Sequence, residues 1–244
     1  MDLIIASRPS GRAADEMRRV TLTRDVMKHA LGSCMVEFGD TRVLCAATIE
    51  EGVPAWRRSA HAGWVTAEYA MLPASTDRRT KRELGQRKGR SMEIERLIGR
   101  SLRAVVNLKA LGEYTVTVDC DVIQADGGTR TASVTGAWVA LHDALMAWVD
   151  AGKIARLPLT GQVAAVSMGV VDGANLLDLD YAEDSNAEVD MNLVATETGE
   201  IVEIQGTGER ITFDRERLNA LLDLGDAGIK KLIALQDEVT AFQG

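Results

Sequence analysis

The stretch Asp119-Cys-Asp-Val-Ile-Gln-Ala-Asp-Gly-Gly-Thr-Arg-Thr-Ala-Ser-Val-Thr-Gly136 decides the fold class, because it joins a strand pattern to a helix pattern through a glycine-rich turn. Asp119 and Asp121 alternate with apolar neighbours, which is the period-two pattern of a half-buried strand. Gly127 and Gly128 then allow the backbone to turn sharply. The stretch therefore predicts a strand, a tight turn and a helix in immediate succession.

The segment after the turn has the spacing of a helix with one apolar face. From Thr129 onward, large apolar residues recur at steps of four, three, four and three, namely Val134, Trp138, Leu141, Leu145 and Trp148. The first N–H groups of such a helix, with Arg130 in its first turn, would bind an anion, and a guanidinium suits phosphate oxygens. An ordinary tight turn beside an exposed arginine fits the same spacing, which leaves both interpretations open.

The composition limits the class of protein. The 244 residues, 46% of them apolar, suffice for one large domain or two small ones. The cysteines Cys34, Cys45 and Cys120 match neither a disulfide framework nor a zinc spacing, and small buried thiols are typical of a reducing cytosol. The first residues carry too short an apolar run for a signal peptide, and no stretch approaches the roughly 18 apolar residues of a membrane span. We therefore expect a cytoplasmic protein without a membrane partner.

The charge distribution favours a nucleic-acid partner although the net charge is −8. Ten basic residues and three acids lie between Arg78 and Arg103, so this block carries +7 and the rest of the chain −15. A basic block in an acidic chain is typical of a protein that binds a phosphate backbone. A solvated surface loop, or arginines paired across a subunit interface, would have the same composition, and both alternatives stay open.

The order of predicted elements favours an α+β fold of two similar halves packed together. The predicted strands are a hairpin of Cys34 to Phe38 with Val43 to Ile49, then Trp64 to Tyr69, Val163 to Val171, Leu176 to Tyr181, and a second hairpin of Val189 to Ala195 with Ile201 to Gln205. Further helices are predicted from about Ser91 to Leu108, from Arg215 to Leu224 and from Ala227 to Phe242, the last two separated near Gly225.

A second candidate site lies in Leu177-Asp-Leu-Asp-Tyr-Ala-Glu-Asp-Ser-Asn-Ala-Glu-Val-Asp190, which holds six acids in fourteen residues. Carboxylates gathered in one place repel one another unless a cation compensates, and oxygen ligands suit Mg²⁺. The spacing excludes an EF-hand loop, because Ala182 occupies a ligand position. A solvated acidic loop remains the alternative.

Longer motifs add a family resemblance. The stretch Asp119 to Gly136, together with Gly63 to Pro73 and Glu93 to Ala104, closely resembles ribonuclease PH, a family of phosphorolytic 3′-to-5′ exoribonucleases. The resemblance extends from Arg8-Pro-Ser-Gly-Arg12 to the last predicted helix. It implies the α+β ribonuclease PH fold as a single domain over residues 1–244. It further implies inorganic phosphate as co-substrate, Mg²⁺, RNA 3′ ends as substrate, and a homohexameric ring built as a trimer of dimers.

The resemblance also assigns site residues. It implies phosphate binding by Arg90, Gly128, Thr129 and Arg130, and metal binding by Asp184 and Asp190. Arg130, Asp184 and Asp190 would be catalytic, and Arg79 and Arg82 would bind RNA or organise the ring. Ser91 is predicted to cap the helix that follows Arg90, with Arg96, Arg100 and Arg103 on its solvent face beside Glu93. Asp178 and Asp180 are predicted to end a strand or to support the metal ligands.

Two departures from the family pattern concern RNA contact and assembly. Ala74 stands where the family pattern Met-Leu-Pro-Arg-Ser-Thr has an arginine, and the loop between Arg82 and Gly89 is about two residues shorter than usual.

The predicted function is phosphate-dependent trimming of the 3′ ends of tRNA precursors, with rRNA as a further substrate, and the reaction is reversible as a nucleotidyl transfer. One alternative is a catalytically silent RNA-binding ring subunit, which the presence of Arg130, Asp184 and Asp190 disfavours. Another is a metal-dependent phosphotransferase on small nucleotides, which the long basic block disfavours.

Overall fold

The computed structural model of the protein describes residues 8–82 and 89–242. The strands are β1 (Val20–Arg24), β2 (Gly32–Phe38), β3 (Thr41–Glu51), β4 (Trp64–Met71), β5 (Tyr114–Gln124), β6 (Val163–Val171), β7 (Ala174–Leu177), β8 (Val189–Thr196) and β9 (Ile201–Gly208). The α-helices are α1 (Gly89–Ala104), α2 (Leu108–Leu111), α3 (Thr129–Asp150), α4 (Tyr181–Asp184) and α5 (Arg215–Thr240), and a 3-10 helix spans Ala55–Ala60. Within the described ranges the strands form a sheet of order β1-β2-β3-β5-β4 and a sheet of order β7-β6-β8-β9. This mixed architecture confirms the predicted α+β class.

The first sheet places the end of β4 beside the end of β5. Both predicted hairpins are confirmed as antiparallel pairs, β2 with β3 and β8 with β9. By contrast β4 and β5 are parallel, with Met71 opposite Val122, and α1 lies in the crossover that joins them. Because the carboxyl ends of parallel strands meet at one edge of a sheet, the loops that follow β4 and β5 start close together.

Helix α3 lies between the two sheets, where it packs on β2, β3 and β6. The predicted apolar residues Val134, Trp138, Leu141 and Leu145 are fully buried, but the opposite side of the helix is buried as well. The prediction of one apolar face was therefore wrong. The second buried side is made of alanine, serine, threonine and glycine, and these small residues let the sheets approach closely. A Cβ at Gly136, for example, would lie 2.5 Å from Val36.

The predicted ends of α1 and β7 differ from the structure. Helix α1 ends at Ala104, because Val106 leaves the helix and pairs with Leu159 as an isolated bridge. Strand β7 ends at Leu177, and α4 follows where a continued strand was predicted.

Helix α5 runs unbroken through Gly225. A Cβ at that position would come within 2.6 Å of Met168 Cε on β6, so the glycine allows close packing of helix on sheet and does not interrupt the helix.

Among the described residues, none of the helices is both long enough and apolar enough to cross a membrane.

Candidate functional site

The predicted strand, turn and helix are present, and they form one wall of the site. β5 ends at Gln124, and the glycine turn (residues 126–129) leads directly into α3. Gly127 and Gly128 have φ of +74° and +66°, which L-residues with a Cβ rarely adopt. Gly128 is the N-cap of α3 and offers no capping side chain, so the first N–H groups of the helix remain available to an anion.

The glycine turn packs against the backbone of the acidic segment (residues 177–190). A Cβ at Gly127 would lie 2.7 Å from the carbonyl oxygen of Leu179 and 2.8 Å from the backbone nitrogen of Tyr181. This contact brings together the two candidate sites that lie about 50 residues apart in the sequence. Only a residue without a side chain permits an approach this close.

Between the glycine turn and the acidic segment is a cavity of about 690 Å³. It is lined by the proposed phosphate and metal residues together, namely Arg90, Gly128, Thr129, Arg130, Asp184 and Asp190. The loop after β4 closes another side through Thr76, Arg78 and Thr80. The two motifs that the sequence presents as separate candidate sites therefore line one cleft in the structure.

On the basic side of the cavity, Arg130 and Thr129 are held by residues from other elements. Arg130 Nη1 donates to Glu93 Oε1 on α1 at 3.1 Å and to Gln205 Oε1 on β9 at 2.6 Å. The hydroxyl groups of Thr129 and Tyr69 lie 2.9 Å apart, and both residues are buried. Arg130 is thus oriented at the cavity wall by a carboxylate and an amide.

On the acidic side, Asp184 and Asp190 have raised pKa values. Burial raises the pKa of Asp190 to about 6, and repulsion from Asp184 adds to the effect. Burial also raises the pKa of Asp184, while Arg90 and Arg130 oppose this rise. Both aspartates therefore lie within electrostatic reach of Arg130, and Asp184 also of Arg90, yet the pKa of each remains raised because burial and mutual repulsion are not fully compensated.

This donor pair fits Mg²⁺. Two partly buried carboxylates whose charges are insufficiently compensated gain stability from a hard cation. Among the described residues no group of three or more His, Cys, Asp or Glu side chains is arranged to hold a metal ion. Mg²⁺ at Asp184 and Asp190 would therefore complete its coordination with water and substrate phosphate oxygens, as it commonly does in proteins.

Comparison with known proteins decides the family. Models described as the 3′ exoribonuclease family, domain 1 and domain 2, match residues 16–147 and 161–228. The chain belongs to the 3′ exoribonuclease family. Curated proteins named Ribonuclease PH from Brucella ovis and Brucella canis are each 58% identical over 238 residues, covering 96% of this chain and 100% of the relative.

Solved structures agree with this assignment. An Archaeoglobus fulgidus exosome with RNA bound to the active site matches with a TM-score of 0.79 and 25% identity, over 92% of this chain and 91% of the other. Rice Rrp46 matches with a TM-score of 0.78 and 21% identity over 96% and 100% of the two chains, which shows the common fold.

The other acids of the acidic segment have structural contacts. Asp178 is fully buried and accepts hydrogen bonds from Arg18. Asp180 caps α4 and forms a capping box with Glu183, and Glu183 pairs with Arg8 at 2.7 Å. The N-terminal arginines therefore neutralise this part of the segment, whereas Asp184 and Asp190 face the cavity.

Several predictions at the basic block differ from the structure or lie outside it. Ser91 lies inside α1 and is not its cap, because the helix already includes Gly89 and Arg90. Arg79 and Arg82 are exposed and do not line the cavity described above. Burial raises the pKa of Asp121, and the charge of Arg82 opposes this rise. Ala74 is exposed in the loop after β4. The shortened loop before Gly89 lies outside the described residues.

Sequence reasoning missed the residues that hold the site together: Arg18, Thr41, Tyr69, Glu93 and Gln205. Glu93 was assigned to the arginines of its own helix, but it pairs with Arg130 on another helix, while Arg100 pairs with Glu203. No element was predicted at Arg18, so the sequence offered no signal there. Tyr69 ends the predicted strand Trp64 to Tyr69, and its hydroxyl was the available signal, since a buried polar group needs a partner.

Proposed function

We propose that this chain is a phosphate-dependent 3′-to-5′ exoribonuclease that trims the 3′ ends of tRNA precursors and releases nucleoside 5′-diphosphates. The observation that carries the proposal is the cavity between the glycine turn and the acidic segment. Arg90, Arg130 and the start of α3 supply positive charge on one side, and Asp184 and Asp190 supply carboxylates on the other. Attack of one phosphate on another requires positive charge at both groups, because the nucleophile and the scissile group are anions. The arginines would supply it to the attacking phosphate, and a cation held by the carboxylates would supply it to the scissile group.

The reaction proposed here needs no protein nucleophile. An oxygen of inorganic phosphate forms a bond to the phosphorus of the last phosphodiester, and the bond to the 3′ oxygen of the preceding nucleotide breaks. That oxygen takes up the proton carried by the attacking hydrogen phosphate. In this scheme Arg90, Arg130 and the N–H groups of the glycine turn orient the attacking phosphate and stabilise the charge that develops on its oxygens.

Mg²⁺ bound at Asp184 and Asp190 would neutralise charge on the scissile phosphodiester. The protein contributes the geometry, because Asp190 lies on β8 and Asp184 ends α4, so both carboxylates are placed by regular secondary structure. Glu93 and Gln205 hold Arg130 before phosphate arrives. We expect the guanidinium to keep these contacts through one nitrogen while its other N–H groups bind phosphate.

A polymeric RNA substrate is supported by the charge of the chain and by its relatives. The block from Arg78 to Arg103 carries +7 in a chain of net charge −8. Arg78 lies at the cavity, and Arg79 and Arg82 are exposed on the same loop. We propose that RNA approaches along this loop with its 3′ end in the cavity.

We also propose a homohexameric ring built as a trimer of dimers. One solved relative is an archaeal exosome core, with a TM-score of 0.76 and 25% identity. In the described chain β9 is an edge strand of its sheet, and it exposes Ile201 and Ile204 to 51% and 42%. Exposed apolar residues on an edge strand favour coverage by another subunit.

The products distinguish phosphorolysis from hydrolysis. A 3′-end-labelled tRNA precursor is incubated with the protein and Mg²⁺, with and without inorganic phosphate. Nucleoside diphosphates that form only with phosphate support the proposal. Nucleoside monophosphates formed without phosphate would show a hydrolase, and RNA binding without any product would show a silent ring subunit.

A further inference from the structure

Arg18 makes a buried connection between the N-terminal part of the chain and the acidic segment. Its side chain is 7% exposed, and that of Asp178 is fully buried. Arg18 Nε donates to Asp178 Oδ2 at 3.0 Å, and Nη2 donates to Oδ1 at 2.7 Å. The backbone N–H of Arg18 also donates to Oδ2 at 2.8 Å. This fork-to-fork pairing fixes both side chains in one orientation.

The same guanidinium also holds the glycine turn. Its remaining nitrogen, Nη1, donates to the backbone carbonyl oxygen of Asp126, the first residue of the turn. The Nη2 atom lies so near Gly128 that a Cβ there would be 3.1 Å away. One buried side chain therefore contacts both walls of the cavity without lining it.

Thr41 on β3 completes the connection. Its hydroxyl accepts from the backbone N–H of Asp126 at 2.9 Å and donates to the carbonyl oxygen of Gly127 at 2.6 Å. The Arg18 Nη1 atom lies 3.5 Å from the same hydroxyl oxygen. Backbone groups of a turn at positive φ lack regular partners, so these side chains determine where the N–H groups of the turn point.

We propose that Arg18 and Thr41 are positioning residues that hold the glycine turn in the orientation that binds the attacking phosphate, at a set distance from the metal-binding carboxylates. This inference rests on the proposed phosphorolysis. Asp178 acts through Arg18 as its buried counter-ion. Neither Arg18 nor Thr41 touches the substrate, so their effect should appear as weaker phosphate binding.

The test uses Arg18→Lys and Thr41→Val in the full chain. Lysine retains the charge opposite Asp178 but lacks the planar fork that reaches Asp126. Valine keeps the shape of Thr41 without its hydroxyl. For each variant we expect the KM for inorganic phosphate to rise about tenfold or more, which is the fold-change expected from the loss of one hydrogen bond to a charged group. The KM for RNA should change less. Hydrogen exchange of the amides at residues 126–129 should be faster.

Thr135→Val is the matched control. The Thr135 hydroxyl is equally buried, donates to the carbonyl oxygen of Thr131 at 3.1 Å and accepts from the N–H of Ala165 at 3.2 Å, but it lies inside α3. This variant should lose comparable stability while its KM for phosphate and the exchange at residues 126–129 stay at wild-type values.

The outcomes separate the inference from the proposed function. If Thr41→Val matches Thr135→Val in both the phosphate KM and the amide exchange, the positioning role is wrong, whether or not Arg18→Lys folds. If the wild-type protein forms no nucleoside diphosphate, the proposed function fails, and the exchange measurement still decides whether Arg18 and Thr41 hold the turn.

Discussion

Replacement of Gly127 by alanine should damage both the fold and the cleft, because two independent costs meet at this residue. Its φ of +74° is in the left-handed region, where an L-residue costs about 1–2 kcal/mol. The added Cβ would lie 2.7 Å from backbone atoms of Leu179 and Asp180, and relief of such overpacking costs about 1–3 kcal/mol more. We therefore expect Gly127→Ala to lower the free energy of unfolding by about 2–5 kcal/mol.

Gly152→Ala provides the matched control for this experiment. Gly152 has a similar φ of +67°, and within the described chain a Cβ at this position meets nothing within 4 Å. It should cost only the conformational penalty of about 1–2 kcal/mol. Urea unfolding gives the free energy of unfolding of both variants. Initial rates at varied phosphate concentration give the KM for phosphate, which reports on the cleft.

The reasoning is refuted if the two variants lose equal stability and Gly127→Ala keeps the wild-type KM for phosphate. That result would mean that the acidic segment yields freely to the new methyl group, so that the contact does not set the width of the cavity.

Further predictions concern the cavity, the loop after β4 and the response to acid. Arg130→Ala should abolish phosphorolysis with little effect on RNA binding, since a lost charged hydrogen bond costs about 1.5–3 kcal/mol and a transition-state role costs more; wild-type rates at limiting phosphate would contradict this. Asp184→Asn and Asp190→Asn should each suppress turnover and weaken Mg²⁺ binding measured by calorimetry, whereas the exposed Asp223→Asn should change neither. Replacement of both Arg79 and Arg82 by glutamine should weaken binding of long RNA and flatten its salt dependence, with a short oligonucleotide as the control. Burial opposes ionisation of Glu183, but the hydrogen bonds from Arg8 and from the backbone of Asp180, together with the charges of Arg8 and Arg12, lower its pKa from the ordinary value of 4.5. The stability that Glu183 gains from these partners is thus present above pH 4.5 and lost in more acidic solution, and Glu183→Gln should flatten that part of the curve of unfolding free energy against pH.

Asp178 illustrates how the structure changes the choice of a control. From the sequence, Asp178→Asn is expected to be milder than the corresponding change at Asp184 or Asp190. In the structure Asp178 is the fully buried partner of Arg18, so its loss leaves an uncompensated buried charge, which costs about 3–5 kcal/mol. Asp178→Asn should therefore destabilise the fold, and it cannot serve as the neutral comparison.

The sequence by itself determined the elements that depend on local pattern. Alternation along residues 119–122 and the glycine pair after them specify a strand and a turn, because side chains on a strand point to opposite faces and only glycine adopts positive φ readily. The same reasoning identified both hairpins and the two candidate sites. Arg130 was singled out by its place after the glycine turn as well as by family motifs, and Asp184 and Asp190 were singled out by family motifs, which are also local.

Only the tertiary structure decided what these elements pack against. Whether α3 has one buried face or is enclosed by two sheets depends on a second sheet formed by residues far along the chain. Gly225 resembles a helix breaker in the sequence, yet it lies inside the unbroken helix α5. The position takes glycine because Met168 occupies the space that a side chain would fill. The pairings of Arg18 with Asp178 and of Arg130 with Glu93 and Gln205 join residues 37 to 160 positions apart. Such contacts leave no periodic signal, because a buried charge needs a partner in space and not at any particular spacing in sequence.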